Sequence, residues 1–281
     1  MKLNVLHRTR YRYRQPVGDS YNELRLRPAS DDPGRVVFFL LNVNPPVRLR
    51  HFRDEHRNYV HWFEIPEPHD ELLIEARSVV NTSSQRAAGL PRMDFSTLRR
   101  TLSDELRPFL GGSRYVSTAP EVWRLALDVG GGIDDVLEAA AALMEFIHRE
   151  WEYQPDATTA STHMEEVLHN RRGVCQDFAH LMIGLCRSLG IPARYVSGYL
   201  YNGPEAHLRG AQASHAWCEV FLPGHGWFGF DPTNNIAAEE WHVKIATGRD
   251  YDDAAPVRGH FSGPPGVNSS LEVTVRVERA E

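Results

Sequence analysis

The chain has 281 residues, 42% hydrophobic and 24% charged, with a formal net charge of −6 at pH 7 and a pI near 6.2. Those values describe a folded chain long enough for one large domain or two modest ones, and they disfavour disorder and a nucleic-acid partner. The longest apolar run, 36–41, is far short of the roughly 20 residues that span a bilayer, and three cysteines are too few, and odd in number, for a disulfide framework. The first residues pass directly into an alternating pattern without the apolar core of a signal peptide, so a cytoplasmic location and no membrane partner are expected.

From residue 2 to about 81, alternating runs at 3–13, 21–26, 36–43, 60–65 and 72–80 are separated by proline and glycine pairs. They predict a β-rich, sandwich-like N-terminal domain over residues 1–82. Arg8, Arg10, Arg12 and Arg14 share one face of the first run, as expected of an edge strand guarded by charge rather than a dock for an acidic partner. Residues 81–91 are polar and predict a linker, assigned to 83–104. A core over 105–281 follows, with helical patterns at 121–128 and 133–148. The Gly130-Gly131-Gly132 turn between them is no phosphate loop, because no Gly-Lys-Ser/Thr follows.

A third helix starts at Cys175, with Phe178, Leu181, Met182, Leu185 and Leu189 at helical spacing and Gly190 and Pro192 closing it. Residues 214–222 then alternate, with Ala216, Cys218, Val220 and Leu222 on one face and His215, Trp217 and Glu219 on the other. Pro223-Gly224-His225-Gly226 supplies a turn, and alternation resumes until Pro232. A three-residue loop, Pro223 to His225, would pair Leu222 with Gly226, set Trp217 opposite Asp231 and place His215 diagonal to Asp231 on one face. A loop one residue shorter or longer would turn Asp231 to the other face. Residues 237–248 are expected to be helical, and 271–277 to form a final strand able to join either sheet.

A cysteine in the first turn of a helix meets unpaired N–H groups and the positive end of the dipole, both of which favour a thiolate. With a strand histidine and a carboxylate in reach, the parts suit acyl transfer: Cys175 as nucleophile, His215 as its ion-pair partner and proton donor to the leaving amine, Asp231 as the group orienting the imidazole. The Cys175 N–H is the natural first oxyanion donor. Cys186 and Cys218 lie on apolar faces and are expected to pack as small hydrophobes. His180 is expected to be a packing or surface histidine and Asp177 a helix-dipole partner. No metal is expected: the histidines lack zinc spacing, and Asp250, Asp252 and Asp253 lack a calcium loop.

The runs Arg172 to His180, Gly190 to Tyr199, Ser214 to Trp217 and Phe230 to Thr233, in that order, closely resemble the bacterial transglutaminase-like superfamily. The opening His7 to Tyr13 and the stretch Glu64 to His69 resemble the N-terminal region that accompanies its core. That resemblance implies an α+β fold, a β-rich N-terminal domain followed by a papain-like core, with Cys175, His215 and Asp231 as the catalytic set and no cofactor. Transglutaminases use an upstream tryptophan as an oxyanion donor, for which Trp151 or Tyr153 are candidates, beside Gln176 and Trp217 as substrate-binding residues. The expected substrate is a peptide or protein bearing a glutamine or another amide. Three outcomes stay open: hydrolysis of the thioester by water, transamidation to a primary amine, and a catalytically idle peptide-binding module. A hydrophobic tunnel near Trp217 and Trp227 would favour transamidation.

Overall fold

The computed structural model describes residues 1–29, 35–83, 92–203, 208–210 and 214–280. Its N-terminal part is organised by one long strand, β1 (Lys2–Leu24), followed by β2 (Arg35–Asn44), β3 (Arg50–Arg53), β4 (Tyr59–Ile65) and β5 (His69–Asn81). The first half of β1 runs antiparallel to β5, and its second half, past an irregularity between Arg12 and Val17, pairs with β4. The strand thereby passes from one sheet region to the next and encloses a core of Val17, Leu24, Leu26, Phe63, Leu72 and Ile74. Each such side chain, fully removed from water, stabilises the fold by about 1.5–3 kcal/mol.

Next come α1 (Phe95–Thr101), which lies inside the stretch read as linker, then α2 (Pro120–Gly130) and α3 (Val136–Glu150). Asp94 and Asp135 cap α1 and α3, accepting from the N–H groups of Thr97 and Glu138, as expected of N-cap carboxylates. The expected linker residues 84–91 lie outside the described residues. After β6 (Glu152–Tyr153), α4 (Met164–Asn170) and β7 (Arg172–Gly173), the central helix α5 (Cys175–Ser188) packs beneath a sheet of β8 (Ala193–Leu200), β9 (His215–Leu222), β10 (Gly226–Asp231), β11 (Ile236–Ala237) and β12 (His242–Gly248). The strand order is β11-β10-β9-β8-β12. Short helix α6 (Tyr251–Ala254) leads to β13 (Val257–Ser262) and β14 (Ser269–Arg279).

Two expectations change. The segment 237–248 is not helical: its residues 242–248 form β12, which pairs antiparallel with β8 and buries Val243, Ile245 and Ala246. Its β-branched Val243, Ile245 and Thr247 alternate along a strand covered on both faces, which blurs the period that would have identified it. The first strand is not an edge: β14 returns to pair with β1 from Leu3↔Arg279 to Tyr13↔Ser269, so β1 lies between β5 and β14. Its arginines are matched across the sheet, Arg8 to Glu75 at 2.6 Å and Arg12 to Glu71 at 3.4 Å. Strand β3 lacked any alternation that would mark it.

The two parts share one core. Leu3, Val5, Val80 and Val275 pack in the same apolar cluster as Phe178, Leu181 and Leu185 of α5. Asn58 ties them further, donating to the Thr247 carbonyl at 2.7 Å and accepting from the Thr247 N–H at 2.8 Å. No helix among the described residues is long and apolar enough to cross a membrane.

Candidate active site

Cys175 opens α5 where β7 ends. Parallel pairing of β6 with β7 sets Tyr153 beside Gly173, and Gln154 N–H donates to the Gly173 carbonyl at 3.0 Å. Asp177 closes the turn: its Oδ2 accepts from the Val174 N–H at 2.8 Å and from the Thr158 hydroxyl at 2.6 Å. This is the carboxylate half of a capping box. Gly173 makes room for it, since a Cβ there would lie 2.7 Å from Asp177 Oδ2. Asp177 thus does more than complement the dipole, and burial pushes its carboxyl upward in pKa against those two hydrogen bonds.

The hairpin has the expected three-residue loop, with Gly226 opposite Leu222 and Phe230 opposite Cys218. The register brings His215 and Asp231 to one face, and His215 Nε2 lies 2.8 Å from Asp231 Oδ2, both side chains fully buried. The same Oδ2 receives Asn234 Nδ2 at 2.8 Å and His242 Nε2 at 3.2 Å, while Oδ1 accepts from the N–H groups of Thr233 at 3.0 Å and Asn234 at 3.3 Å. Burial opposes a charge on Asp231, but the two imidazoles outweigh it and hold the carboxyl well below the usual range. Burial likewise opposes a charge on His215. The Asp231 carboxylate and then the Cys175 thiol outweigh it, raising the imidazole to about 10.

With Nε2 engaged by Asp231, His215 presents Nδ1 to the cysteine. Nδ1 is buried without a hydrogen bond of full geometry, and the Cys175 thiol is close enough to raise the imidazole's proton affinity. Gly210, at φ +82°, crosses over this edge of the ring, where a Cβ would meet Nδ1 at 2.6 Å. Asn234 anchors that crossing, accepting from the Arg209 N–H at 2.8 Å and donating to the Arg209 carbonyl at 3.2 Å. Cys175 itself is 9% exposed.

The other expected residues divide. Tyr153 lies close to the centre: burial, and after it the Cys175 charge, pushes its phenol up to about 12. Trp217 supports the site from below, stacked on His215 at 6.2 Å and edge-on to His242 at 5.1 Å. Gly198 and Gly229 leave space for its ring. Trp151 is a correction: its indole N–H donates to the Val167 carbonyl at 3.0 Å and its ring lies under Arg171, so it has no donor to offer an oxyanion. Gln176 is also directed elsewhere, donating to the Ala160 carbonyl at 3.1 Å. Trp217 borders a cavity of about 70 Å³ with His242 and Glu239, whereas Trp227, under Arg194, borders an adjoining cleft of about 880 Å³ that shares Pro28, Ala29 and Lys244 with it.

His180 is a packing residue, 1% exposed between Tyr115 and Tyr195. Cys186 and Cys218 are fully buried, and all three cysteines are free. Asp250 accepts from the N–H groups of Tyr115 and Asp252, and Asp253 pairs with Arg249 and His56. His242 and Asn234 are the site residues that sequence reasoning missed. The Val243, Ile245, Thr247 alternation was the signal that could have placed His242 at the start of a strand beside β8.

A helix-start cysteine, a strand histidine and a buried carboxylate behind it, on an α+β core of this order, define the papain-like and transglutaminase-like class of fold. Residues 3–81 match the bacterial transglutaminase-like N-terminal region, and residues 124–232 match the core of the transglutaminase-like superfamily. The chain belongs to that superfamily. An uncharacterized protein of Mycobacterium leprae is 32% identical over 281 residues, covering 99% of both chains. The protein-glutamine gamma-glutamyltransferase of Pseudomonas aeruginosa is 36% identical over 108 residues, which is 36% of this chain and 16% of that protein. Among solved structures, a candidate cysteine protease from Cytophaga hutchinsonii aligns over 100% of this chain and 92% of its own, with a TM-score of 0.78 and 26% identity.

Proposed function

We propose that the chain is a cysteine-dependent acyl-transfer enzyme that forms a thioester on Cys175 from a peptide or protein amide and hydrolyses it. The observation that carries this is His215, which connects a buried, ionised Asp231 through Nε2 to the thiol of Cys175 on its other side. In the first half-reaction Cys175 Sγ attacks the amide carbon, His215 protonates the leaving nitrogen as the C–N bond breaks, and the amine departs. In the second, His215 takes a proton from water as its oxygen bonds to the acyl carbon, the C–S bond breaks and the carboxylic acid leaves. The Cys175 N–H in the first turn of α5 would stabilise the oxyanion, with the Tyr153 hydroxyl as the second donor. The free cysteines suit a reducing compartment such as the cytoplasm.

Hydrolysis is preferred because water, at about 55 M, takes the acyl group unless a site excludes it. Similarity to a protein-glutamine gamma-glutamyltransferase supports transamidation as the second reading. Fluorogenic glutaminyl and peptidyl amides, assayed with and without a primary amine, separate the two. Hydrolysis predicts acid product at a rate unmoved by amine, and transamidation predicts an amine adduct. Cys175→Ala should abolish either product with the fold intact, and turnover by that variant would refute the proposal.

A further inference from the structure

His242 is a buried titratable group that neither half-reaction uses. It enters from β12, a different strand from those that carry His215 and Asp231, and it meets the same carboxylate oxygen as His215, at 3.2 Å against 2.8 Å. Its protonation pattern follows from its other nitrogen. Nδ1 accepts the Glu239 N–H at 3.2 Å, so the ring's proton sits on Nε2 and is donated to Asp231. Oδ2 is therefore shared among two imidazole N–H groups and the Asn234 amide, whose Nδ2 donates to it at 2.8 Å. The titratable groups around His242 are Asp231 from β10, His215 from β9 and, across the adjoining cavity, Glu219, Glu239 and Lys244.

We propose that His242 is a positioning residue: a fixed, neutral imidazole whose Nε2–H holds Asp231 in the orientation that aims His215 at Cys175 and draws carboxylate charge away from His215. A donor competing for Oδ2 weakens its hold on the His215 proton, so that the imidazolium can release it to a leaving amine. With only Asn234 left to compete for Oδ2, His215 would bind its proton more tightly and be a poorer acid. Burial lowers the proton affinity of His242 itself, in keeping with its neutral role. His215, Asp231 and His242 also place one ligand atom each within 4.8 Å of one another. A metal there would require the Nε2 protons to be absent, whereas the Glu239 contact keeps one on His242.

This inference rests on the thiolate–imidazolium reading above, and its test keeps the two separate. Full-length wild type and His242→Ala, His242→Asn and His242→Gln would be labelled with iodoacetamide across pH 4–11, following Cys175 by peptide mass mapping, with thermal melts to confirm folding. Gln places its carboxamide N–H near the position of Nε2 and loses the acceptor for Glu239, whereas Asn keeps that acceptor and loses the donor to Asp231. The upper limb of the profile, where His215 loses its proton, should rise by about one pH unit in the Ala and Asn variants, a tenfold tighter proton, as expected for loss of one charge-assisted hydrogen bond. Gln should restore it to within about 0.3 units on the same grounds.

The opposite order, with Asn like wild type and Gln like Ala, would show that His242 serves only to anchor Glu239 and would overturn the proposal. So would an unmoved limb in all three variants, or wild-type labelling that changes with EDTA and is reversed by zinc. If His215→Ala leaves labelling at pH 6 unchanged with His242 intact, the thiolate–imidazolium reading itself fails, a result none of the His242 variants could produce.

Discussion

Helix α5 borders two regions built around a buried histidine, His180 of the helix itself and His215 of β9, and they reach opposite electrostatic ends. His180 and His215 are each 1% exposed. His180 lies parallel to Tyr115 at 5.7 Å and 5.0 Å from Tyr195, and its Nε2 accepts the Tyr251 N–H at 3.2 Å. Burial takes its imidazole down to about 3, with only partial opposition from Asp250. His215 is raised to about 10 despite equal burial, because Asp231 touches it directly. Desolvation is common to both rings, so contact with an ionised partner decides the charge state. One ring is apolar packing with a hydrogen-bond acceptor, and the other is a stored proton beside a thiol.

Deleting the charged ring should have the largest effect. A thiol with an ordinary pKa near 8.5 is only about 0.3% ionised at pH 6. If His215 holds Cys175 as a thiolate, His215→Ala should slow iodoacetamide labelling of Cys175 at pH 6 by up to about 300-fold, less whatever thiolate the helix N-terminus alone sustains, while Cys186 and Cys218 stay unlabelled in both proteins. Equal rates would break the contrast. Asp231→Asn should make the surroundings of His215 resemble those of His180, with a smaller effect. An Asn amide at Oδ2 would oppose the imidazole N–H, driving the proton to Nδ1, where the ring can no longer accept from the thiol. Labelling at pH 6 is expected to fall about tenfold and not to vanish, since the helix N-terminus still favours the thiolate. A wild-type rate in this variant would show that Asp231 is dispensable to the pair.

Much of this contrast could be read from the chain because it is local. The Pro223-Gly224-His225 turn sets the hairpin register, and that register alone brings His215 to Asp231. The helix-start position of Cys175 follows from its own neighbours. What could not be read is non-local. His242 reaches Asp231 because β12 pairs with β8 across the sheet, and the two-sided burial of β12 made its pattern look helical. The partnership of β14 with β1 joins residues near opposite ends of the chain, and no turn signal announces it. Trp151 has the right residue type near the right place, but the Val167 carbonyl that engages its indole N–H is visible only once α4 is packed.

The smallest effect, and the one that isolates burial from partnership, lies in the pH dependence of stability. A histidine whose folded pKa lies below 6.5 is neutral in the folded chain and charged in the unfolded chain between those values. Its contribution is therefore fully present above pH 6.5 and declines as pH falls toward 3, by up to about 1.4 kcal/mol per pH unit for one proton. For His215 the sign reverses: its contribution is complete below pH 6.5 and is lost as pH rises toward 10. His180→Phe keeps a flat ring between Tyr115 and Tyr195 but cannot titrate. At pH 7 it should cost about 1–2 kcal/mol, through the Tyr251 N–H left without its acceptor. Urea titrations at pH 4.5, 5.5 and 6.5 should then show a stability that falls less steeply with acid than wild type, by up to about 1.4 kcal/mol per pH unit. Parallel slopes would mean that His180 takes up a proton in the folded chain as readily as in the unfolded one, leaving charged imidazoles on both α5 and β9 and no contrast between them.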